Sequence, residues 1–186
     1  MAVVRKPNIG PFLRRRWHDL RSVRWPMSSR PFPVSAKMRI SPGPRRSQGR
    51  PVYLLDTNVV SELRKPKPHG GVLAWFQSVS ETQLFLSAVT LGEIQAGIEL
   101  TRQQDPPKAK AIEHWLDQLA CVYNILPMDA ATFRMWARLM HGQSNTVYED
   151  AMIASTAKVH HLTVVTRNLA DFKRFEVALF NPFQSR

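Results

Sequence analysis

From position 51 onward, short apolar runs alternate with longer stretches in which apolar residues recur every three or four positions. Val52–Leu55, Leu84–Ser87, Cys121–Leu126 and Leu162–Val165 are compact apolar runs bounded by polar or turn-forming residues, the pattern of buried strands. Between them the spacing predicts helices over Thr57–Arg64, stopped by the prolines at 66 and 68, and over Gly70–Ser78. Further helices are expected from a Thr90 cap to about Arg102, over Pro107–Leu119, from an Asp129 cap to about His141, and over Val147–His160. In the Pro107–Leu119 stretch, Ile112, Trp115, Leu116 and Leu119 share one face. A closing apolar segment lies near Ala178–Phe180, and Asp171 falls in the loop before it. Strands alternating with amphipathic helices predict an α/β fold with a mainly parallel sheet. No internal repeat interrupts this order.

The first 50 positions lack that rhythm. They carry thirteen basic residues against the single acid Asp19, and seven of the fourteen prolines. Positions 51–186 hold thirteen of each sign, so the chain's net charge of +12 belongs to its first 50 residues. Residues 1–50 are therefore read as a disordered, basic, Pro/Arg-rich arm and 51–186 as one folded domain. Arg14, Arg15 and Arg16 beside Trp17, with Trp25 and Phe32, would suit phosphate clamping and base stacking. A solvated tail is one competing reading, and translation starting at Met38 is another. The lone Cys121 offers neither a disulfide framework nor a thiolate metal cluster. No run of 18 apolar residues spans a membrane, and arginines interrupt every apolar stretch near the N-terminus. A cytoplasmic protein is expected. An Arg-rich, acid-poor start also describes an organellar transit peptide, with nothing else in its favour.

Parallel sheets bind ligands beyond the carboxyl ends of their strands. Asp56 directly follows Val-Tyr-Leu-Leu. Glu93 lies in the first turn of the helix opened by Thr90, Asp150 near the start of Val147–His160, and Asp171 after Leu162–Val165. Each has a plain alternative. Glu93 completes a Thr90-Leu-Gly-Glu capping box, Asp150 offsets a helix dipole, Asp171 is a loop acid, and Asp56 forms a turn with Asn58. What the plain readings leave unexplained is their recurrence at one edge of the expected sheet. Clustered carboxylates repel by several kcal/mol unless a proton or cation intervenes, on the order of 4 kcal/mol for two unit charges about 4 Å apart. An all-oxygen set without cysteine, and without histidine at ligand spacing, suits Mg²⁺ or Mn²⁺ rather than zinc. Such an ion activates water, stabilises a phosphodiester in transit and lets a polyanion approach the acids. Metal-assisted phosphodiester hydrolysis is the expected chemistry.

VYLLDTNVVSEL (52–63), SAVTLGEIQAGIEL (87–100), ILPMD (125–129), YEDAMIASTAKVHHLTVVTRNLADF (148–172) and NPF (181–183) together resemble the PIN-domain ribonucleases, most of all the VapC toxins of VapBC toxin–antitoxin pairs. The resemblance runs from about Val52 to Phe183 and leaves residues 1–50 out. It implies a three-layer α/β/α sandwich, Mg²⁺-dependent endoribonuclease activity and homodimers. It also implies a VapB-like antitoxin whose arm places basic residues near the acidic pocket. Carried over by position, it implies Asp56 and Asp150 as direct metal ligands, Glu93 on the metal or its water, and Asp171 acting through water or a second ion. Thr57, Asn58 and Asn168 would orient carboxylates or the scissile phosphate. Glu149, where relatives more often carry a small residue, reads as a solvated helix-start acid.

Other classes fit less well. A haloacid-dehalogenase-like phosphatase needs a second acid two residues after its nucleophilic aspartate, where this chain has Asn58. A receiver-like domain lacks its acidic pair before Val52. No phosphate-binding glycine loop and no nucleophile-elbow serine is present. A non-catalytic PIN-like module binding RNA or protein remains as the non-enzymatic alternative, which four intact acids disfavour.

Overall fold

The computed structural model describes residues 38, 40, 41, 43, 44 and 51–184. Arg14–Arg16, Trp17, Trp25 and Phe32 lie outside the described residues, as does most of the stretch assigned to the arm. In chain order the elements are β1 (Tyr53–Leu55), α1 (Thr57–Glu62), α2 (Gly70–Ser78), β2 (Leu84–Ser87), α3 (Ala88–Arg102), α4 (Pro106–Val122) and β3 (Asn124–Leu126). They continue with α5 (Ala130–Leu139), α6 (Tyr148–His160), β4 (Thr163–Val165), α7 (Leu169–Lys173) and β5 (Leu179–Phe180). The strands form one sheet in the order β3-β2-β1-β4-β5, and every pairing is parallel.

The alternation of side chains along each strand splits the core into two. Leu55, Leu84, Leu86 and Val165 face helices α1–α4 and pack with Val59, Trp75, Ile94, Ile98, Ile112 and Leu116. Leu54, Phe85 and Val164 point the other way, into a cluster with Ile153, Ala154, Phe172 and Phe175 from α6, α7 and the turn after it. Helices therefore cover both faces, giving the three-layer α/β/α sandwich. Burial on both faces is also why the strands read as unbroken apolar runs rather than alternating ones. Among the described residues, no helix is long and apolar enough to cross a membrane.

Three local expectations change. The helix expected to open at Thr90 begins at Ala88, capped by Ser87, whose hydroxyl accepts the Val89 N–H at 3.2 Å. Thr90 is inside the helix and buried, donating to the Leu55 carbonyl at 3.4 Å. Cys121, placed in a strand by its apolar neighbours, belongs to the last turn of α4, because that helix continues to Val122 and the strand starts only at Asn124. Asp171 sits in the short helix α7 rather than in a loop. Asp129 caps α5 as expected, accepting from the Thr132 N–H and hydroxyl, both at 2.8 Å.

The sheet does not end bare at β3. Ile40 forms a parallel bridge with Ile125, and the Ser41 N–H donates to the Ile125 carbonyl at 2.8 Å. Both residues lie within the stretch assigned to the arm. Gly43, at φ 101°, lies so close to the end of α6 that a Cβ there would stand 2.5 Å from His160 Nδ1.

Two measurements check these local assignments. Ser87→Ala is expected to cost about 1 kcal/mol in urea unfolding, the usual loss for a capping hydroxyl. Asp129 is held below the ordinary carboxylate range chiefly by the Thr132 N–H, then by its hydroxyl, with burial acting in the opposite direction and the nearby His160 adding a smaller lowering. Its contribution to α5 is thus complete above the ordinary aspartate pKa of about 4 and fades as the pH falls through the lower native value. Hydrogen exchange in α5 should loosen over that acid window in the parent chain and change less in Asp129→Asn, which keeps a cap but cannot titrate.

Candidate active site at the switch between β1 and β4

Chain connections from β1 build the sheet outward through β2 to β3, and the crossover from β3 then returns to place β4 on the other side of β1. The order reverses between β1 and β4. In an open parallel sheet that reversal leaves a crevice beyond the carboxyl ends of the two strands, the usual place for a ligand. Asp56 follows β1 there, and Thr166 follows β4.

Asp56 is fully buried. Its Oδ1 accepts the Thr57 N–H at 2.7 Å, making it the N-cap of α1. Its Oδ2 accepts from the Thr166 hydroxyl at 2.7 Å and from the Asn58 side-chain amide. Asn58 spans the crevice: its Nδ2 also donates to Thr166 Oγ1 at 3.0 Å, and its Oδ1 accepts the Arg167 N–H at 3.0 Å. An amide in that position fixes a carboxylate, whereas a second acid would repel it. The phosphatase reading loses its remaining footing here.

Two further acids join this network through bridging groups. The Thr57 hydroxyl donates to Glu93 Oε2, so one residue holds Asp56 by its backbone and Glu93 by its side chain. Glu93 therefore serves the crevice, not a capping box. The start of α3 agrees, since Ser87 caps that helix and Thr90 already lies within it. On the other side, Thr166 Oγ1 accepts the Asn168 N–H at 2.9 Å, and the Asn168 amide donates to Asp171 Oδ2. Asp150 is buried in the first turn of α6, which packs against α3, the helix bearing Glu93.

The structure thus links Asp56, Glu93 and Asp171 through Thr57, Asn58, Thr166 and Asn168, and buries Asp150 on a neighbouring helix. Among the described residues, no three His, Cys, Asp or Glu side chains are grouped as a ready-made cage for a metal ion. The bridging groups are hydroxyls and amides. The donor set is nonetheless all oxygen at the crevice, with two buried carboxylates held by a single threonine, and that chemistry fits a hard divalent cation. Sequence reasoning missed Thr166. Its one signal was a hydroxyl residue placed directly after an apolar strand, at the edge where the acids were already expected.

A single parallel α/β/α domain with buried acids at its switch point is the frame, and comparison with known proteins gives it a family. The sequence model of the PIN domain matches residues 53–177, and the chain belongs to the PIN-domain family. The chain is similar to the toxin FitB of Neisseria gonorrhoeae, 36% identical over 140 residues, covering 71% of this chain and 99% of that protein. It is also similar to the VapC ribonuclease Y4jK of Sinorhizobium fredii, 32% identical over 144 residues, covering 72% and 99%. Among solved structures, FitAcB from Neisseria gonorrhoeae superposes with a TM-score of 0.63 at 35% identity, covering 72% of this chain and 99% of that one.

The Thr166 hydroxyl is the testable hinge of this geometry. Thr166→Val keeps the shape but leaves Asp56, Asn58 and the Asn168 N–H each short of a partner. Urea unfolding should show a loss of about 1–3 kcal/mol, and Thr166→Ser should recover most of it.

Proposed function

We propose that this protein is a metal-dependent endoribonuclease of the toxin class, hydrolysing RNA phosphodiesters at the crevice between β1 and β4. The observation that carries the reading is Asp56, a carboxylate with no exposed surface, fixed at the switch point and bridged to Glu93 by Thr57. Similarity to a protein named a toxin and to one named a VapC ribonuclease supports the same activity.

Mg²⁺, with Mn²⁺ as the substitute of like chemistry, would be held by Asp56, Glu93 and Asp150, and by Asp171 through water. Bound there, the ion would lower the pKa of a water and stabilise charge developing on the phosphate. The chain's own residues do the positioning. Asn58 and Thr166 hold the Asp56 carboxylate in one orientation, the Thr57 hydroxyl orients Glu93, and Asn168 steers Asp171. Such prearrangement removes the reorganisation that flexible carboxylates would undergo during reaction. A crevice that seeks cations also explains how the activity can be held in check. A VapB-like antitoxin presenting an arginine would engage the same carboxylates bidentately. The working unit of this proposal is a homodimer acting in the cytoplasm.

The test is cleavage of a panel of structured RNAs by the full chain, with and without EDTA and with Mg²⁺ restored. Chelation should abolish cleavage and Mg²⁺ should return it. Asp56→Asn and Asp150→Asn should fold, as judged by circular dichroism, and lose at least about 100-fold in rate. Full-rate cleavage by either variant, or cleavage indifferent to EDTA, would place the activity elsewhere.

A further inference from the structure

Residues 51–186 carry no net charge, so the domain has no general attraction for a polyanion. A divalent ion would offset only part of the charge on Asp56, Glu93, Asp150 and Asp171, and a phosphate strand approaching the crevice still needs a cation at the rim. Arg167 stands at that rim. It directly follows Thr166, whose hydroxyl holds Asp56, and its own N–H donates to Asn58 Oδ1 at 3.0 Å. Arg167 is exposed, and its guanidinium carbon lies over the Phe183 ring, 5.3 Å from the centroid. Among the described residues the guanidinium enters no ion pair and no hydrogen bond.

The ring beneath it is placed by the C-terminal segment. The Thr166 N–H donates to the Phe180 carbonyl at 2.9 Å, so β5 ends beside β4 and the residues after it start from the crevice edge of the sheet. Asn181 Oδ1 then accepts the Phe183 N–H at 3.0 Å, Pro182 is buried, and the Phe183 ring packs against the core on the α1–α4 side. His69 meets the same ring at 5.2 Å between centroids, and its N–H donates to Glu62 Oε1 at 2.9 Å, which ties the ring to the end of α1. A plain reading makes the Arg167–Phe183 contact an exposed cation–π pair that fastens the C-terminal segment. That reading leaves the guanidinium donors unused. Attraction to a ring takes no hydrogen bond, so all five N–H groups remain for a ligand. Asp56 is held by Thr166 and Asn58, and Asp171 by Asn168, which leaves the arginine for an incoming oxyanion.

We propose that Arg167 grips the RNA phosphate next to the one hydrolysed in the crevice, and that Phe183 is the residue that positions it. The proposal deepens the nuclease reading above and rests on it. The neighbouring phosphate is the fitting target because Arg167 is fastened to the crevice by its backbone while its guanidinium reaches outward to Phe183. Two N–H donors meet two phosphate oxygens in a bidentate geometry that a lysine does not reproduce. Without the ring the same exposed side chain samples many rotamers, and binding then has to remove that freedom. Arg167 acts in substrate binding, Phe183 acts through Arg167, and the acids act on the bond itself.

The test is single-turnover cleavage of a labelled oligoribonucleotide in Mg²⁺ by the full chain at rising concentration, which separates the half-saturating concentration from the maximal rate. Circular dichroism confirms that each variant is folded. Arg167→Gln should raise the half-saturating concentration by roughly 10- to 150-fold, the range for one charge-assisted contact, and lower the maximal rate far less. It should also reduce the slope of log half-saturation against log salt by about 0.7, one phosphate contact on a single strand. Arg167→Lys should keep the parent slope and recover only part of the affinity. Phe183→Leu should raise half-saturation by about 2- to 5-fold, and Phe183→Trp should restore it. In the Arg167→Gln background Phe183→Leu should add nothing, because the ring acts only through the arginine. Unchanged half-saturation and slope in Arg167→Gln overturn the proposal, and overturn it alone when the parent chain cleaves RNA. A Phe183→Leu loss that persists undiminished beside Arg167→Gln overturns the positioning role of the ring. A parent chain that does not cleave RNA in Mg²⁺ overturns both this proposal and the nuclease reading.

Discussion

The hydroxyl of Thr166 has one proton and two lone pairs, and the structure commits all three. Its lone pairs take N–H donors from Asn58 and Asn168, which leaves the proton for Asp56 and only one direction in which to point. Two central strands are thereby tied together at their carboxyl ends by side chains as well as by the ladder between Leu55 and Val165. The arrangement exists only while β1 and β4 keep their register. A slip of one residue would turn Leu54 and Leu55 to the wrong faces and carry Asp56 away from its donors. The geometry of the crevice is thus a by-product of core packing, and the core is what enforces it.

That coupling matters because the strands are short. β1, β3 and β4 have three residues each, so backbone pairing alone gives them little hold. Position comes from helices pressed on both faces, with Leu54 and Leu55 fully buried on opposite sides. Asp56 then serves two ends at once. It closes the N-terminus of α1 and stands at the head of the acids, so the helix dipole, the Thr166 hydroxyl and the Asn58 amide share in stabilising one negative charge.

Much of this is readable in the chain, and what is not has identifiable causes. Asp56, Glu93, Asp150 and Asp171 announce themselves because acids that recur just beyond apolar runs, at one edge of a sheet, have few structural uses. The helices over Gly70–Ser78 and from Asp129 follow from spacing and caps alone. Cys121 is misplaced because Cys-Val-Tyr continues apolar, and a short apolar run does not by itself separate strand from helix. Thr90 looks like a cap because Thr-x-x-Glu has the right letters, yet Ser87 already fills that place and frees Glu93 for a partner 36 positions away. Thr166 is invisible for the same reason. Its value lies in contacts with Asp56 and Asn58, more than a hundred residues distant, and no local pattern encodes them.

The two margins of the sheet are finished differently. Beside β3, Ile40 and Ser41 already occupy the pairing positions at Ile125. Beside β4, β5 is only two residues long, and the chain after it turns away through Asn181 and a buried Pro182, which has no N–H to offer a further strand. Stacking of molecules into continuous ribbons is therefore discouraged at either margin. The helical layers present no such ready-made ladder, and a complementary surface there has to be matched side chain by side chain.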